Sequence, residues 1–315
     1  MGGTHNSISM MMTTYSHRRT PSPAGVIALC LGCMVVILTI LLVVKNNQLS
    51  ALQKKDKELS AVVAPYYDAD VFKTPSTLIK SALTPNTSPI KIPIIMYHYV
   101  EYVKDDNDLI RKKLDINPAL FEQHLQALKK AEYETYFVKD IPDILNGTIH
   151  YSTHSAVLTF DDGYEDFYTD VFPLLKKYHM RATAFIIYNY IGRKGFMTEQ
   201  QIRELLDSDL VEIGGHTFDH LYLKSIPKHI ADRQIIDSKQ QFEKRFGFVM
   251  KSFAYPYGAF NQDNIDAVKK AGYVAAVSVI PGVMQSPTNL FYLSRIRPGI
   301  FTPSTMISVI EKYSK

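Results

Sequence analysis

Two carboxylates on consecutive residues, Asp161 and Asp162, follow the apolar run 156–160 and precede Gly163. Charges this close repel, and both stay ionised most readily when a cation neutralises one of them. Partners for a cation stand further along the chain, in His216-Thr217-Phe218-Asp219-His220. One carboxylate and two imidazoles suit Zn²⁺ or a similar divalent ion. Three protein ligands also leave positions open for water and substrate, which is the catalytic pattern rather than the structural one. Asp162, His216 and His220 are therefore the metal candidates. Two histidines four apart mean little alone. Their weight comes from position, because acids and histidines alike follow apolar strands at Gly-marked turns. Successive side chains on an extended strand point apart. Asp161 is thus free of the ion and is the candidate general base that takes a proton from attacking water.

Such residues need a rigid array behind them, and the hydropathy pattern supplies one. From residue 92 onward, strands are expected at 92–97, 157–160, 183–187, 211–213, 252–254, 274–279 and 293–297. Helices are expected between them at 117–131, 171–178, 198–206, 231–246 and 262–271, with a last one at 304–313. Regular alternation of this kind implies an α/β fold with a parallel sheet wrapped by helices, either open and doubly wound or a barrel. The number of strands favours a barrel.

The chain of 315 residues has room for an anchor and one large domain. Residues 1–23 are polar and aperiodic, and a disordered tail is expected there. Residues 24–44 carry no charge and are flanked by Arg18, Arg19 and Lys45, a length that spans a bilayer as a helix. No small-x-small cleavage site follows, so an uncleaved transmembrane signal anchor is the reading. Both cysteines, Cys30 and Cys33, fall inside it. Residues 45–90 read as a stalk and a linker carrying Pro65, Pro75, Pro85 and Pro89, and residues 91–315 as the functional domain. With Arg18 and Arg19 set aside, 33 basic residues face 31 acidic ones, and no basic stripe is present. Nucleic acid is thus not the expected partner. The flanking charges do not favour an inside N-terminus, since Arg18 and Arg19 stand against Lys45, Lys54, Lys55 and Lys57. An extracytoplasmic domain on a single-pass anchor is expected on grounds of function instead.

Three motifs carry a family resemblance: Thr159-Phe160-Asp161-Asp162-Gly163, His216-Thr217-Phe218-Asp219-His220 and Tyr255-Pro256-Tyr257-Gly258. In order and spacing they resemble the polysaccharide deacetylases, the NodB-homology domain of carbohydrate esterase family 4, over about residues 91–300. The resemblance implies a distorted (β/α)7 barrel. It also implies Asp161 as base, Asp162, His216 and His220 as metal ligands, and the backbone N–H of Tyr257 as an oxyanion donor. Ala254 stands where the third motif usually carries an Arg that orients the base, there is no Trp for the fourth motif, and no histidine follows His229. Tyr97-His98-Tyr99, at the end of the first expected strand, resembles the subgroup acting on poly-β-1,6-N-acetylglucosamine. That likeness implies His98 as the acid protonating the leaving amine. Arg295 and Arg297 are both candidates for the missing orienting Arg.

The expected activity is that of a metal-dependent hydrolase, Zn²⁺ first with Co²⁺, Ni²⁺ or Fe²⁺ also compatible, removing N-acetyl groups from N-acetylglucosamine units of a surface polysaccharide. Peptidoglycan deacetylation is the alternative within enzymes, and a non-catalytic glycan-binding relative is the alternative of another class. Tyr97, Tyr99, Tyr164 and Tyr257 are candidates for stacking on sugar rings, with Tyr188-Asn189-Tyr190 adding to that lining. His154, His179 and His229 are read as solvated.

Overall fold

The structure, a computed structural model, describes residues 88–105, 107–299 and 301–312. The expected tail, membrane anchor and most of the stalk and linker lie outside these residues. Ile90–Lys91 already pairs antiparallel with Met284–Gln285.

Seven strands lie side by side in chain order, every neighbouring pair parallel: β1 (Ile94–Tyr97), β2 (Ser155–Phe160), β3 (Ala182–Ile186), β4 (Val211–Gly215), β5 (Ser252–Ala254), β6 (Ala275–Pro281) and β7 (Leu293–Arg295). The two ends of this sheet are joined. Met96 N–H donates to Ile296 O and Ile296 N–H to Ile94 O, both at 2.8 Å. The result is a nearly closed (β/α)7 barrel. An additional strand, Glu134–Tyr136, pairs with the first half of β2.

Strand alternation sorts the side chains. Ile95, Tyr97, Leu158 and Phe160 belong to the core shared with the outer helices, whereas Ile94, Val157, Phe185, Val277 and Leu293 fill the barrel with Ile141 and Ile144 from below. All six residues of β2 are buried, as expected of a parallel strand covered on both faces. The helix Pro118–Lys130 begins where the Asn117 side chain accepts from Leu120 N–H at 2.8 Å, and it buries Phe121, Leu125 and Leu128 on the barrel. The expected helix 231–246 is interrupted, and the expected helix 171–178 is extended at its start by an irregular turn. Residues Phe167–Val171 and Arg233–Asp237 each form a π-turn leading into an α-helix, Phe172–Tyr178 and Ser238–Phe246 respectively.

A middle layer of the barrel is polar. Glu212 of β4 accepts from Thr183 Oγ1 and Ser252 Oγ at 2.8 Å each, and from Lys139 N–H at 3.2 Å. Two residues on, a Cβ at Gly214 would stand 2.5 Å from the Phe185 ring and 2.8 Å from Ser252 Oγ. Gly214→Ala is accordingly expected to lower stability by about 1–3 kcal/mol through overpacking. Denaturant unfolding checks this, and an unchanged midpoint would refute it.

Candidate active site

The candidate side chains stand at strand ends or in the loops that follow them. Asp161 and Asp162 follow β2, His98 follows β1, His216 follows β4, and Arg295 ends β7. Chain closure thereby brings together groups far apart in sequence at one rim of the barrel.

Asp161 is 4% exposed and held by Arg295, itself 1% exposed, through two parallel hydrogen bonds: Nη1 to Oδ1 at 2.8 Å and Nη2 to Oδ2 at 2.7 Å. The guanidinium is fixed in turn, its Nε donating to Ser278 O at 2.7 Å and Nη1 also to Thr159 Oγ1 at 3.2 Å. Burial alone would raise the Asp161 carboxyl, but the charge and hydrogen bonds of Arg295 outweigh it and hold it below the ordinary range. Of the two candidates, Arg295 is the residue paired with the base, filling the part that Ala254 leaves open.

Asp162 turns the other way. Its φ of +78° takes the chain out of the strand and points its carboxylate at the two histidines. Oδ1 lies 3.3 Å from His216 Nε2 and 3.2 Å from His220 Nε2, yet it is buried and receives no hydrogen bond. His216 Nδ1 donates to Ala254 O at 2.7 Å. In the neutral ring that bond turns the Nε2 lone pair toward a carboxylate oxygen, as a metal ligand requires, and without an ion burial is outweighed by Asp162 and Asp161, which raise the ring above its ordinary value. Ligand atoms about 2 Å from one tetrahedral ion stand about 3.3 Å apart, so these separations suit such an ion. The three residues fit a divalent metal and form the one such group among the described residues.

The loop carrying the histidines is strained and tied down. Thr217 and His220 have φ of +68° and +57°, rarely populated by non-glycine residues and unfavourable for a β-branched one. Gln234, in the second π-turn, accepts from Phe218 and Asp219 N–H at 3.1 and 2.9 Å and donates to Asp219 Oδ2 at 2.7 Å. Asn189 Nδ2 donates to Asp219 Oδ1 at 2.7 Å, and Tyr188 packs edge-on against Phe218. Tyr188 and Asn189 therefore support the metal loop rather than adding to a sugar-stacking wall. Gln234 carried no signal in the sequence, where it reads as one more polar residue on a helix.

His98 lies near both carboxylates and both arginines, its Nδ1 buried and without a hydrogen-bond partner. Burial pushes the ring down to about 4, against the pull of Asp161 and Asp162. Tyr257 adopts φ of +58°, and its exposed ring stands 4.5 Å from that of His220. Its N–H lies in the turn just before the Gly258 N–H to Tyr255 O bond of 2.9 Å. Tyr97 is a correction: it is 3% exposed, stacks on Phe160, and its hydroxyl meets His124 Nδ1 at 3.1 Å, so it belongs to the core and offers no face to a sugar. Tyr99 and Tyr164 stack on each other at 3.7 Å between centroids, and the Arg111 guanidinium lies over the Tyr99 ring at 4.4 Å. His154, His179 and His229 are exposed, as expected.

A parallel barrel with a buried, Arg-paired carboxylate and an Asp-His-His set that fits a metal at its rim is an arrangement suited to a metal-assisted hydrolase. Comparison with known proteins specifies which. The family model described as polysaccharide deacetylase matches residues 149–276. YxkH of Bacillus subtilis, named for the same family, is 34% identical over 222 residues, covering 70% of this chain and 76% of that one. Poly-β-1,6-N-acetyl-D-glucosamine N-deacetylase of Staphylococcus aureus (strain MRSA252) is 26% identical over 229 residues, covering 69% and 78% respectively. The Streptococcus pyogenes deacetylase PplD, solved in complex with acetate, superposes with a TM-score of 0.66 at 28% identity over 71% of this chain and 99% of that one. The chain belongs to the polysaccharide deacetylase family and is a deacetylase hydrolase.

Two outcomes are expected from the site's electrostatics. Arg295→Met leaves the Asp161 charge buried and uncompensated and is expected to lower stability by about 3–5 kcal/mol. Adding Asp161→Asn should restore most of it, and unfolding curves that coincide for the single and double variants would count against the pairing. Zn²⁺ added to metal-free protein should raise Tm, because an ion bound only by the folded state stabilises it. Asp162→Ala should abolish that rise, and a persistent one would place the ion elsewhere.

Proposed function

We propose that the protein removes N-acetyl groups from poly-β-1,6-N-acetylglucosamine outside the cell, held at the membrane by residues 24–44. The observation that carries the choice of polymer is His98, which follows the first strand and stands near both carboxylates, in a chain with no histidine after His229. The named activity of the S. aureus relative supports the same polymer.

Asp162, His216 and His220 would hold the divalent metal, Zn²⁺ being the first choice for one carboxylate and two imidazoles. When bound, such an ion polarises the acetamide carbonyl and makes water more acidic. Asp161 takes a proton from the attacking water, fixed by Arg295 with lone pairs still available on both oxygens. The water oxygen adds to the acetyl carbon, and the Tyr257 N–H donates to the oxygen that gains negative charge. As the C–N bond breaks, a protonated His98 supplies the proton that the amine nitrogen needs, leaving acetate and a free amine. Burial makes the protonated ring a strong donor, and the charges of Asp161 and Asp162 are what favour loading it. Free amines turn a neutral polymer cationic, which strengthens its retention on an anionic surface.

The test is acetate release by the full chain in detergent, after chelation and Zn²⁺ add-back. Oligomers of β-1,6-N-acetylglucosamine, chitin oligomers and peptidoglycan are compared. Release from the first is expected; release only from peptidoglycan would replace this substrate. Asp161→Asn should keep the metal and lose about 10²–10⁴-fold in kcat. His98→Ala should lose about 10²-fold with metal retained, whereas loss of metal would make His98 a ligand instead.

A further inference from the structure

Tyrosines near the rim of the barrel are of two kinds. Tyr99, Tyr164 and Tyr190 are already covered. Tyr164 lies between Tyr99 at 3.7 Å and Phe196 at 5.0 Å, with the Arg111 guanidinium over Tyr99. Tyr190 is met by Phe196 at 4.9 Å and by the Arg193 guanidinium at 4.4 Å. Tyr222 and Tyr257 are open. They are 48% and 62% exposed, and their ring centroids stand 6.0 Å apart at a tilt of 38°. Because Tyr257 packs on the His220 ring, the two lead away from the metal set one after the other.

The local chain aims both rings at solvent. Leu223 is fully buried and anchors the turn Leu223–Ser225, where Ser225 N–H donates to Tyr222 O at 3.2 Å, so Tyr222 is left on the outer side. Tyr257 stands in a left-handed turn seated on β6, since a Cβ at the next residue, Gly258, would lie 2.2 Å from Val279 Cγ2. The oxyanion donor expected of Tyr257 is a backbone group, and a glycine would present it at φ of +58° without strain. A tyrosine there bears the strain and also leaves a large ring in water. Both are accounted for if the ring itself meets a ligand.

A pyranose carries C–H groups on its faces and hydroxyls around its edge. That pattern matches tyrosine, an apolar ring with a polar tip, and ligand sites are lined by such side chains. Continuity with the metal set says which sugar is meant. The unit undergoing hydrolysis occupies that set, and in a polymer the units attached to it must rest on surfaces that adjoin it.

We infer that Tyr222 and Tyr257 form a stacking platform for the sugar unit next to the one being deacetylated, and that Tyr222 thereby sets a preference for longer chains. The inference rests on the proposed N-acetylglucosamine polymer as substrate.

The chain contains no Trp, so Tyr222→Trp places a single indole on the platform. The experiment uses the Zn²⁺-loaded full chain, with Asp161→Asn added so that oligomers stay acetylated. The β-1,6-N-acetylglucosamine tetramer should shift the indole emission to shorter wavelength, and the monosaccharide should shift it far less. Calorimetry in the same Asp161→Asn background should show Tyr222→Ala and Tyr257→Gly each weakening tetramer binding about fivefold, with Tyr222→Phe keeping most of the affinity. With Asp161 intact, Tyr222→Ala should raise KM for the tetramer rather than lower kcat, because a neighbouring unit is held alike in ground and transition states. An unmoved indole, or Tyr222→Ala binding as tightly as the unsubstituted platform, overturns the inference. So does Tyr222→Phe binding as weakly as Tyr222→Ala. Acetate release by the wild type would in those cases leave the reaction standing without the platform. An indole shift with a tetramer from which the wild type releases no acetate would instead overturn the proposed reaction and leave the platform.

Discussion

Two carboxylates on consecutive residues cannot share one buried environment, and the whole site is arranged around separating them. In a water-excluded cleft their repulsion is far larger than in solvent. The left-handed turn at Asp162 sends the two carboxylates to different partners. Asp161 goes to Arg295, which accepts no proton and leaves the carboxylate a poised acceptor. Asp162 goes to the Nε2 atoms of two imidazoles, a set that fits a divalent cation. Exchanging the two roles would put the metal against a guanidinium and leave the base without its anchor.

That separation obliges the rest of the rim to carry strain. Asp162, Thr217, His220 and Tyr257 all adopt positive φ, so most of the left-handed non-glycine residues in the described chain cluster at this one place. Each is unfavourable by about 1–3 kcal/mol and persists only where its surroundings over-determine it. The surroundings do so through bonds from outside the motifs. Gln234 grips the backbone of the histidine loop, Tyr188 and Asn189 N–H donate to Thr217 and Phe218 carbonyls at 3.0 Å, and Asp166 accepts from Val100 just past His98. Gln234 lies within the second π-turn, and Asp166 immediately precedes the first.

The strands were legible in sequence because parallel strands buried on both faces read as short apolar runs. The four principal site residues were legible because their types and their Gly-marked turns agree. Other features were hidden for definite reasons. Tyr97 alternates correctly with His98, but only the structure shows which face of β1 meets the helices. Gln234 looks like an exposed helix residue until the π-turn shifts its register. The helix Leu109–Leu114 is short, buries none of its residues and begins at an Asp108 cap, so it has no apolar stripe to announce it. The choice between Arg295 and Arg297 depends on a register irregularity where β7 meets β6, which no sequence pattern encodes.

That last choice bears on how the site tolerates its departures from the family pattern. On an open sheet, an Arg moved from the fifth strand to the last would land far from the base. In a closed barrel the last strand adjoins the first, and the first adjoins the strand of Asp161, so Arg295 and His98 approach Asp161 from neighbouring positions although one lies far downstream and the other upstream. What must be preserved is the height of each group along its strand. Asp161, His98, His216 and Arg295 all meet this condition, each within a residue of a strand's end. Closure, secured by the two backbone bonds between Ile296 and the first strand, is thus what makes chain order dispensable, and it is why Arg295 can pair with Asp161 although Ala254 stands at the usual position of an Arg.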